Sequence, residues 1–251
     1  MISVKISLIV FAWIFGGAAL GILLHAVLPQ DHLSAESKDI VKLGMGLVGT
    51  MAALVLGLLV ASAKSSYDTQ SAEVTQLTSN VALLDRILAH YGPETKGSRN
   101  LLRETVARVV SQIWVEEGAS TGPNSPQSAG GEVLYDKIQA LAPKDDAQRS
   151  LKSQALTIVM ETGKLRQLMF TQGTAAVSVP LLVVLVLWLT IIFISFGLFA
   201  PFNATVVSSL FLSALSVSGA IFLIRDMYTP YTGVIGISSA PLQIALAQLA
   251  Q

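Results

Sequence analysis

Three stretches of the chain carry no Asp, Glu, Lys or Arg, and they restrict the possible folds more than any other feature. They cover residues 6–30, 43–63 and 167–224. A helix needs about 20 apolar residues to cross the ~30 Å hydrocarbon core of a bilayer. The first two stretches each fit one span. The third fits two, because Pro201 interrupts it and disfavours helix in the residue before it.

The composition agrees with this interpretation. Hydrophobic residues make up 52% of the chain and charged residues 13%, which is too little polar surface for a soluble globular domain. The 16 basic residues match the 16 acidic ones, so no excess charge favours binding to nucleic acid. The absence of cysteine excludes disulfides and thiol catalysis. We expect an all-α membrane protein in which four transmembrane helices, arranged as two pairs, flank a polar helical domain.

The charge pattern divides the chain into four parts. Residues 1–63 hold transmembrane helices 1 and 2, residues 64–170 the helical domain, residues 171–225 helices 3 and 4, and residues 226–251 a tail. Five basic residues flank the spans on the side that holds the domain and both termini: Lys5, Lys64, Lys164, Arg166 and Arg225. The opposite side has two, Lys38 and Lys42. The excess predicts that the domain and both termini are cytoplasmic.

Apolar periodicity predicts the helices of the middle part. The second span should continue as a polar helix until Gly92-Pro93, with an apolar seam at alternating steps of three and four residues: Val74, Leu77, Val81, Leu84, Leu88 and Tyr91. Three further helices are predicted over the segments Leu102 to Ile113, Glu132 to Leu141 and Leu151 to Met169. Residues 118–131 are small, polar and rich in proline, which predicts a mobile loop. A short helix around Leu242 should pack the tail onto the cytoplasmic domain or a neighbouring subunit.

Two groups of segments resemble the bestrophin-like family of bacterial membrane proteins, which is otherwise catalogued as a domain of unknown function. The first group is Ala-Lys-Ser-Ser-Tyr-Asp at 63–68, Leu-Leu-Asp-Arg at 83–86 and Tyr-Gly-Pro at 91–93. The second is Arg-Asp at 225–226, Pro-Tyr-Thr-Gly at 230–233, Ile-Ser at 237–238 and Pro-Leu at 241–242. The likeness covers nearly the whole chain, including the order of the spans.

The resemblance implies a function. Bestrophins proper are pentameric anion channels with four spans, cytoplasmic termini and a pore lined by the second helix. The resemblance therefore implies a homo-oligomeric channel, most simply a pentamer, in a bacterial inner membrane. The sequence departs from bestrophins in two ways. No acidic cluster follows the fourth span to form their calcium clasp, so calcium gating is not carried over, and the second span has no aromatic residues for their hydrophobic neck.

The second span supplies the pore candidates. Gly49, Ala53, Gly57 and Ala61 recur every four residues and form a stripe of small residues along one helix face. Such a stripe is typical of close packing between membrane helices. If it seats the helix against its own bundle, Leu54, Val55 and Leu58 could point toward a central axis as a hydrophobic constriction.

Three further patterns have a structural interpretation and a functional one. A hydroxyl stripe in the fourth span and a glycine pair in the first favour helix packing, with a wet cavity as the alternative for the hydroxyls. The hydroxyl stripe consists of Ser209, Ser213 and Ser216, which follow Thr205. The glycine pair is Gly17 and Gly21. His25 is either an interfacial anchor or a proton or ion site. Ion pairs or a charged vestibule could be formed by Lys64, Asp85, Arg86, Arg225 and Asp226.

The sequence contains no nucleophile–base set, phosphate-binding glycine loop or paired carboxylates in a pocket-like context. We therefore expect no enzyme activity, no cofactor and no metal site. The partners should be the lipid bilayer, further copies of the chain and permeant ions. The alternative to a channel is a non-conducting scaffold whose spans anchor the helical domain for a protein partner.

Overall fold

The computed structural model describes residues 2–29, 34–114, 127–172, 178–231 and 233–249. The described part is helical, with no strand. Its helices are α1 (Ile2–Val27), α2 (Ala35–Tyr91), α3 (Lys96–Trp114), α4 (Gln127–Gln139), α5 (Asp146–Gln172), α6 (Val179–Phe199), α7 (Ala204–Met227) and α8 (Ala240–Gln248). A 3₁₀ turn, Pro93–Thr95, joins α2 to α3.

Four of these helices are long and apolar enough to cross a membrane: α1, α2, α6 and α7. Asn203 separates the last two, and its Oδ1 accepts a hydrogen bond of 2.8 Å from the Val206 N–H. This contact caps α7 directly after the break at Pro201. The four apolar helices that the charge-free stretches predict are therefore present.

Two compact units make up the chain. The first comprises Met1–Tyr67 and Ala176–Thr229, and the second Asp68–Ala175 and Pro230–Gln251. In the first unit, α1 packs against α6 and α7. Its core includes Ile14 of α1, Phe193 of α6 and Ala214 of α7.

The second unit contains the predicted apolar seam of α2. All six seam residues are at most 5% exposed: Val74, Leu77, Val81, Leu84, Leu88 and Tyr91. The helix ends at Tyr91 because Gly92 adopts a φ of 133°, which favours glycine, and Pro93 follows. Thr95 is fully buried, and its hydroxyl donates a hydrogen bond to the Leu88 carbonyl at the end of α2.

The predicted loop at 118–131 is wrong at its C-terminal end. Residues 127–131 belong to α4, whereas residues 118–126 lie outside the described part of the chain. Gly130 is buried against α3, where an added Cβ would lie 3.0 Å from Thr105 Oγ1. The glycine that suggested a loop thus allows α4 to approach α3 closely.

The C-terminal segment packs within the second unit. Leu242 and Ala245 of α8 are buried, and α8 contacts α3. Trp114 donates a hydrogen bond of 2.8 Å from its indole N–H to the Ile237 carbonyl. The Trp114 ring also meets the Tyr231 ring edge to face, with centroids 5.5 Å apart. The tail therefore packs onto the helical domain of its own chain.

From the burial of Tyr231 we predict that the protein loses stability at alkaline pH. Burial, with a smaller contribution from Glu73, raises the pKa of Tyr231 to about 12 from 10.0. A folded-state pKa above the unfolded value gives stability that is present below pH 10 and is lost as the pH rises through about 12. Relative to Tyr231→Phe, the wild type should lose up to about 2 kcal/mol over this range.

Melting followed by circular dichroism at pH 8 and pH 11.5 measures this difference. At pH 8 the Tyr231→Phe variant should melt no lower than the wild type, since the buried Tyr231 hydroxyl makes no hydrogen bond within the described residues. An identical loss of stability in both at pH 11.5 would show that the phenol does not contribute.

Candidate functional site

The apolar part of α2 has two unlike faces in the first unit. On the inner face, Ala52, Leu59 and Ala63 are buried against Leu185 of α6 and Ile224 of α7. On the outer face, Leu54 is 71% exposed and Leu58 is 60% exposed. The two leucines lie one helical turn apart, so they form a short apolar ridge that no other part of the described chain covers.

Val55 does not belong to this ridge. It is half-buried and packs against the cluster that contains Ala52 and Leu59. The physical reason is the helical turn of about 100° per residue, which carries Val55 from the Leu54 side toward the inner face. Of the three residues predicted to point the same way, Leu54 and Leu58 therefore lie on the exposed face of α2, and Val55 does not.

The small-residue stripe also lies away from the bundle of its own chain. Ala53, Gly57 and Ala61 are exposed, and Gly49 is half-buried. A Cβ added at Gly57 would meet no atom within 4 Å. The expectation that this stripe seats α2 in its own bundle is thus wrong, because Ala52, Leu59 and Ala63 make those contacts instead.

Glycines bring α1 and α6 into close contact. A Cβ at Gly21 would lie 2.1 Å from the Ile194 carbonyl oxygen, and one at Gly197 would lie 2.2 Å from the Ala18 carbonyl oxygen. Gly17 faces Thr190 in the same groove. No side chain fits at Gly21 or Gly197 without separating the two helices.

The hydroxyl stripe of α7 lies on the exposed side of the first unit. Ser209, Ser213 and Ser216 are exposed, and the Ser216 hydroxyl donates to the Leu212 carbonyl of its own helix at 2.8 Å. His25 Nδ1 lies 2.7 Å from the Leu198 carbonyl oxygen, near the C-terminus of α6. His25 therefore links the ends of α1 and α6.

Polar groups gather where α2 and α7 meet at one end of the first unit. The Ser62 Oγ and the Tyr228 hydroxyl lie 3.1 Å apart and join the two helices. Beside them, Asp226 is 2% exposed, and the Nε of Arg225 is buried without a hydrogen bond to any described residue. The Lys64 ammonium lies 5.7 Å from the centroid of the Tyr67 ring. Three of the predicted charged residues thus share one end of the apolar bundle.

Asp85 pairs with a residue outside the predicted set of charged candidates. Arg99 of α3 binds both carboxylate oxygens of Asp85, at 2.6 and 2.9 Å. This contact raises the pKa of Arg99 above its usual value. Asp85 and Arg99 stand seven residues before and after Gly92, so a hairpin centred on Gly92-Pro93 could have suggested the pair. Arg86, the other candidate in this segment, is exposed.

Removing one partner of this pair should destabilise the second unit. The side chains of Asp85 and Arg99 are 12% and 28% exposed, so Asp85→Asn leaves a partly buried guanidinium without its carboxylate. We expect a cost of about 2 kcal/mol in the free energy of unfolding. Urea titration measures the cost, with Asp136→Asn on the exposed face of α4 as the control. An equal, small effect of both substitutions would contradict the prediction.

Among the described residues, no group of three or more His, Cys, Asp or Glu side chains could hold a metal ion.

Comparison with known proteins agrees with this architecture. The crystal structure of a mutated bacterial Bestrophin homolog from Klebsiella pneumoniae is similar in fold, with a TM-score of 0.66. The alignment covers 94% of this chain and 97% of that one at 14% sequence identity. No curated protein matches the chain. The Bestrophin-like domain matches residues 12–242, and the chain therefore belongs to the Bestrophin-like family.

Proposed function

We propose that the protein is a homo-oligomeric ion channel whose axis is lined by α2. The observation that carries the proposal is the poor coverage of this helix. The most apolar window of α2 has 11% of its residues buried in one chain, whereas the other three candidate spans have 22–28%. Further copies of the chain would cover the remaining surface.

The residues on the outer face of α2 favour other copies over lipid as their neighbours. Gly57, Ala53 and Ala61 are exposed there. A glycine in a helix interior costs about 1 kcal/mol relative to alanine, and close helix packing is the usual compensation in membranes. In the proposed ring, these small residues face a neighbouring subunit, and Leu54 and Leu58 face the axis.

Two leucines per subunit would form a narrow apolar collar. An apolar constriction gates by dewetting, because ions cannot cross it without their water. The polar end formed by Lys64, Arg225 and Asp226 would then be a vestibule on the cytoplasmic side. Membership in the Bestrophin-like family supports a channel. The resemblance of the sequence to bestrophins proper favours anions as the permeant ions.

We further propose a ring of five subunits in a bacterial inner membrane, with both termini in the cytoplasm. The predicted orientation rests on the five basic residues that flank the spans on the side of the helical domain.

Planar bilayer recording tests the proposal. Purified full-length protein should give unitary currents, and a salt gradient should set a reversal potential toward the anion equilibrium value. Silence across voltage, pH and salt, together with a monomeric particle, would contradict it.

The alternative function is a scaffold that holds the helical domain at the membrane. The compactness of the second unit, which contains its own core and the C-terminal helix, favours this candidate. A stoichiometric partner that co-purifies with the protein, combined with the absence of conductance, would support the scaffold over the channel.

A further inference from the structure

The second unit contains a half-open cavity of about 390 Å³. Residues of α2, α3, α4, α5 and α8 line it, and most of them are apolar, as in Leu84, Val106 and Leu134. Small-molecule sites in proteins have volumes of about 300–1,000 Å³ and consist mainly of apolar walls with a few polar groups. The cavity matches both features.

Two glycines lie in the wall of the cavity. Gly131 of α4 and Gly163 of α5 line it, and a Cβ added at either position would meet no atom within 4 Å. Both lie within helices, where alanine or leucine would be more stable by about 1 kcal/mol. The sequence thus retains two costly residues at the wall of an unfilled space.

Arg166 is the one cationic side chain that the described part of the chain contributes to the cavity wall. It is half-buried, and no described carboxylate forms an ion pair with it. A half-buried guanidinium gains from a ligand that supplies acceptor oxygens.

We propose that this cavity binds an amphipathic anion, with its apolar body between the helices and its acidic head on Arg166. A medium-chain carboxylate has this chemistry. Glu132 also lines the cavity, but its side chain is exposed and opposes the binding of an anion. The positive charge of Arg166 therefore selects an anionic head group, and the extent of the apolar wall limits the length of the ligand's apolar body.

Equilibrium binding of radiolabelled decanoate to the full-length protein in lipid nanodiscs tests the site. Binding to empty nanodiscs is subtracted to remove partition into lipid. The wild type should bind decanoate saturably, and Gly163→Leu, which places a bulky side chain at the cavity wall, should lose at least tenfold in affinity while melting no lower than the wild type. Gly97→Leu is the matched control, because Gly97 lies on α3 with open space around it and does not line the cavity.

The head group is tested separately. Arg166→Gln should weaken decanoate binding about tenfold and leave decanol binding unchanged, whereas Arg103→Gln on the exposed face of α3 should change neither. Glu132→Gln should tighten decanoate binding several-fold. The absence of saturable binding, or binding that survives Gly163→Leu, would overturn the proposal. The assay requires no current, so its result is independent of the proposed channel activity.

Discussion

Replacing both Leu54 and Leu58 with serine is expected to raise the unitary conductance about tenfold, which corresponds to a permeation barrier lower by about 1.4 kcal/mol. Both leucines are exposed on the outer face of α2, and the proposed ring turns them toward the axis. Serine at these positions would let water enter the collar. Single-channel recording in planar bilayers, in symmetrical chloride solutions, measures the change.

The matched control is Leu187→Ser on α6. Leu187 is 54% exposed, so the chemical change and the exposure are similar, but the proposed ring turns this position away from the axis. Its conductance should equal that of the wild type. If the Leu54 and Leu58 variant also conducts like the wild type, α2 does not line the pore.

Gly21→Leu is expected to destabilise the first unit by at least about 3 kcal/mol and to prevent recovery of an intact oligomer. The first atom of the new side chain would lie 2.1 Å from the Ile194 carbonyl oxygen, in backbone that cannot move alone. Since α1 and α6 would have to separate, the damage would extend along their contact. Thermal unfolding in detergent, followed by size-exclusion chromatography, measures both effects.

Gly16→Leu is the control for this substitution. Gly16 lies on the same helix, and a Cβ added there would meet no atom within 4 Å. This variant should melt within a few degrees of the wild type and elute at the same volume. Equal tolerance of leucine at Gly16 and Gly21 would show that the close approach of α1 and α6 is absent.

Periodicity made much of the helical architecture predictable from the sequence. Charge-free stretches located the four apolar helices, and the alternating steps from Val74 to Tyr91 located a seam that is buried throughout. The end of α2 followed from Gly92-Pro93, because a positive φ and the lack of an N–H both stop a helix. These signals are local, so one sequence suffices to detect them.

The candidate sites were less predictable because they depend on helix rotation and on contacts between distant residues. By charge alone, Asp85 could pair with any of several basic residues. The turn after α2 places Arg99 beside it. The stripe from Gly49 to Ala61 identifies a packing face, but its spacing does not tell whether the partner belongs to the same chain. The burial of Ala52 and Leu59 shows that α2 packs within its own chain through a different face.

Electron cryomicroscopy of the full-length protein in lipid nanodiscs will show whether the subunits form a ring around α2. We expect a symmetric ring of five subunits in which Leu54 and Leu58 line a continuous axial path and Gly57 contacts the neighbouring subunit. A monomer, or a ring whose axis is lined by α6 or α7 or is filled with lipid, would contradict it.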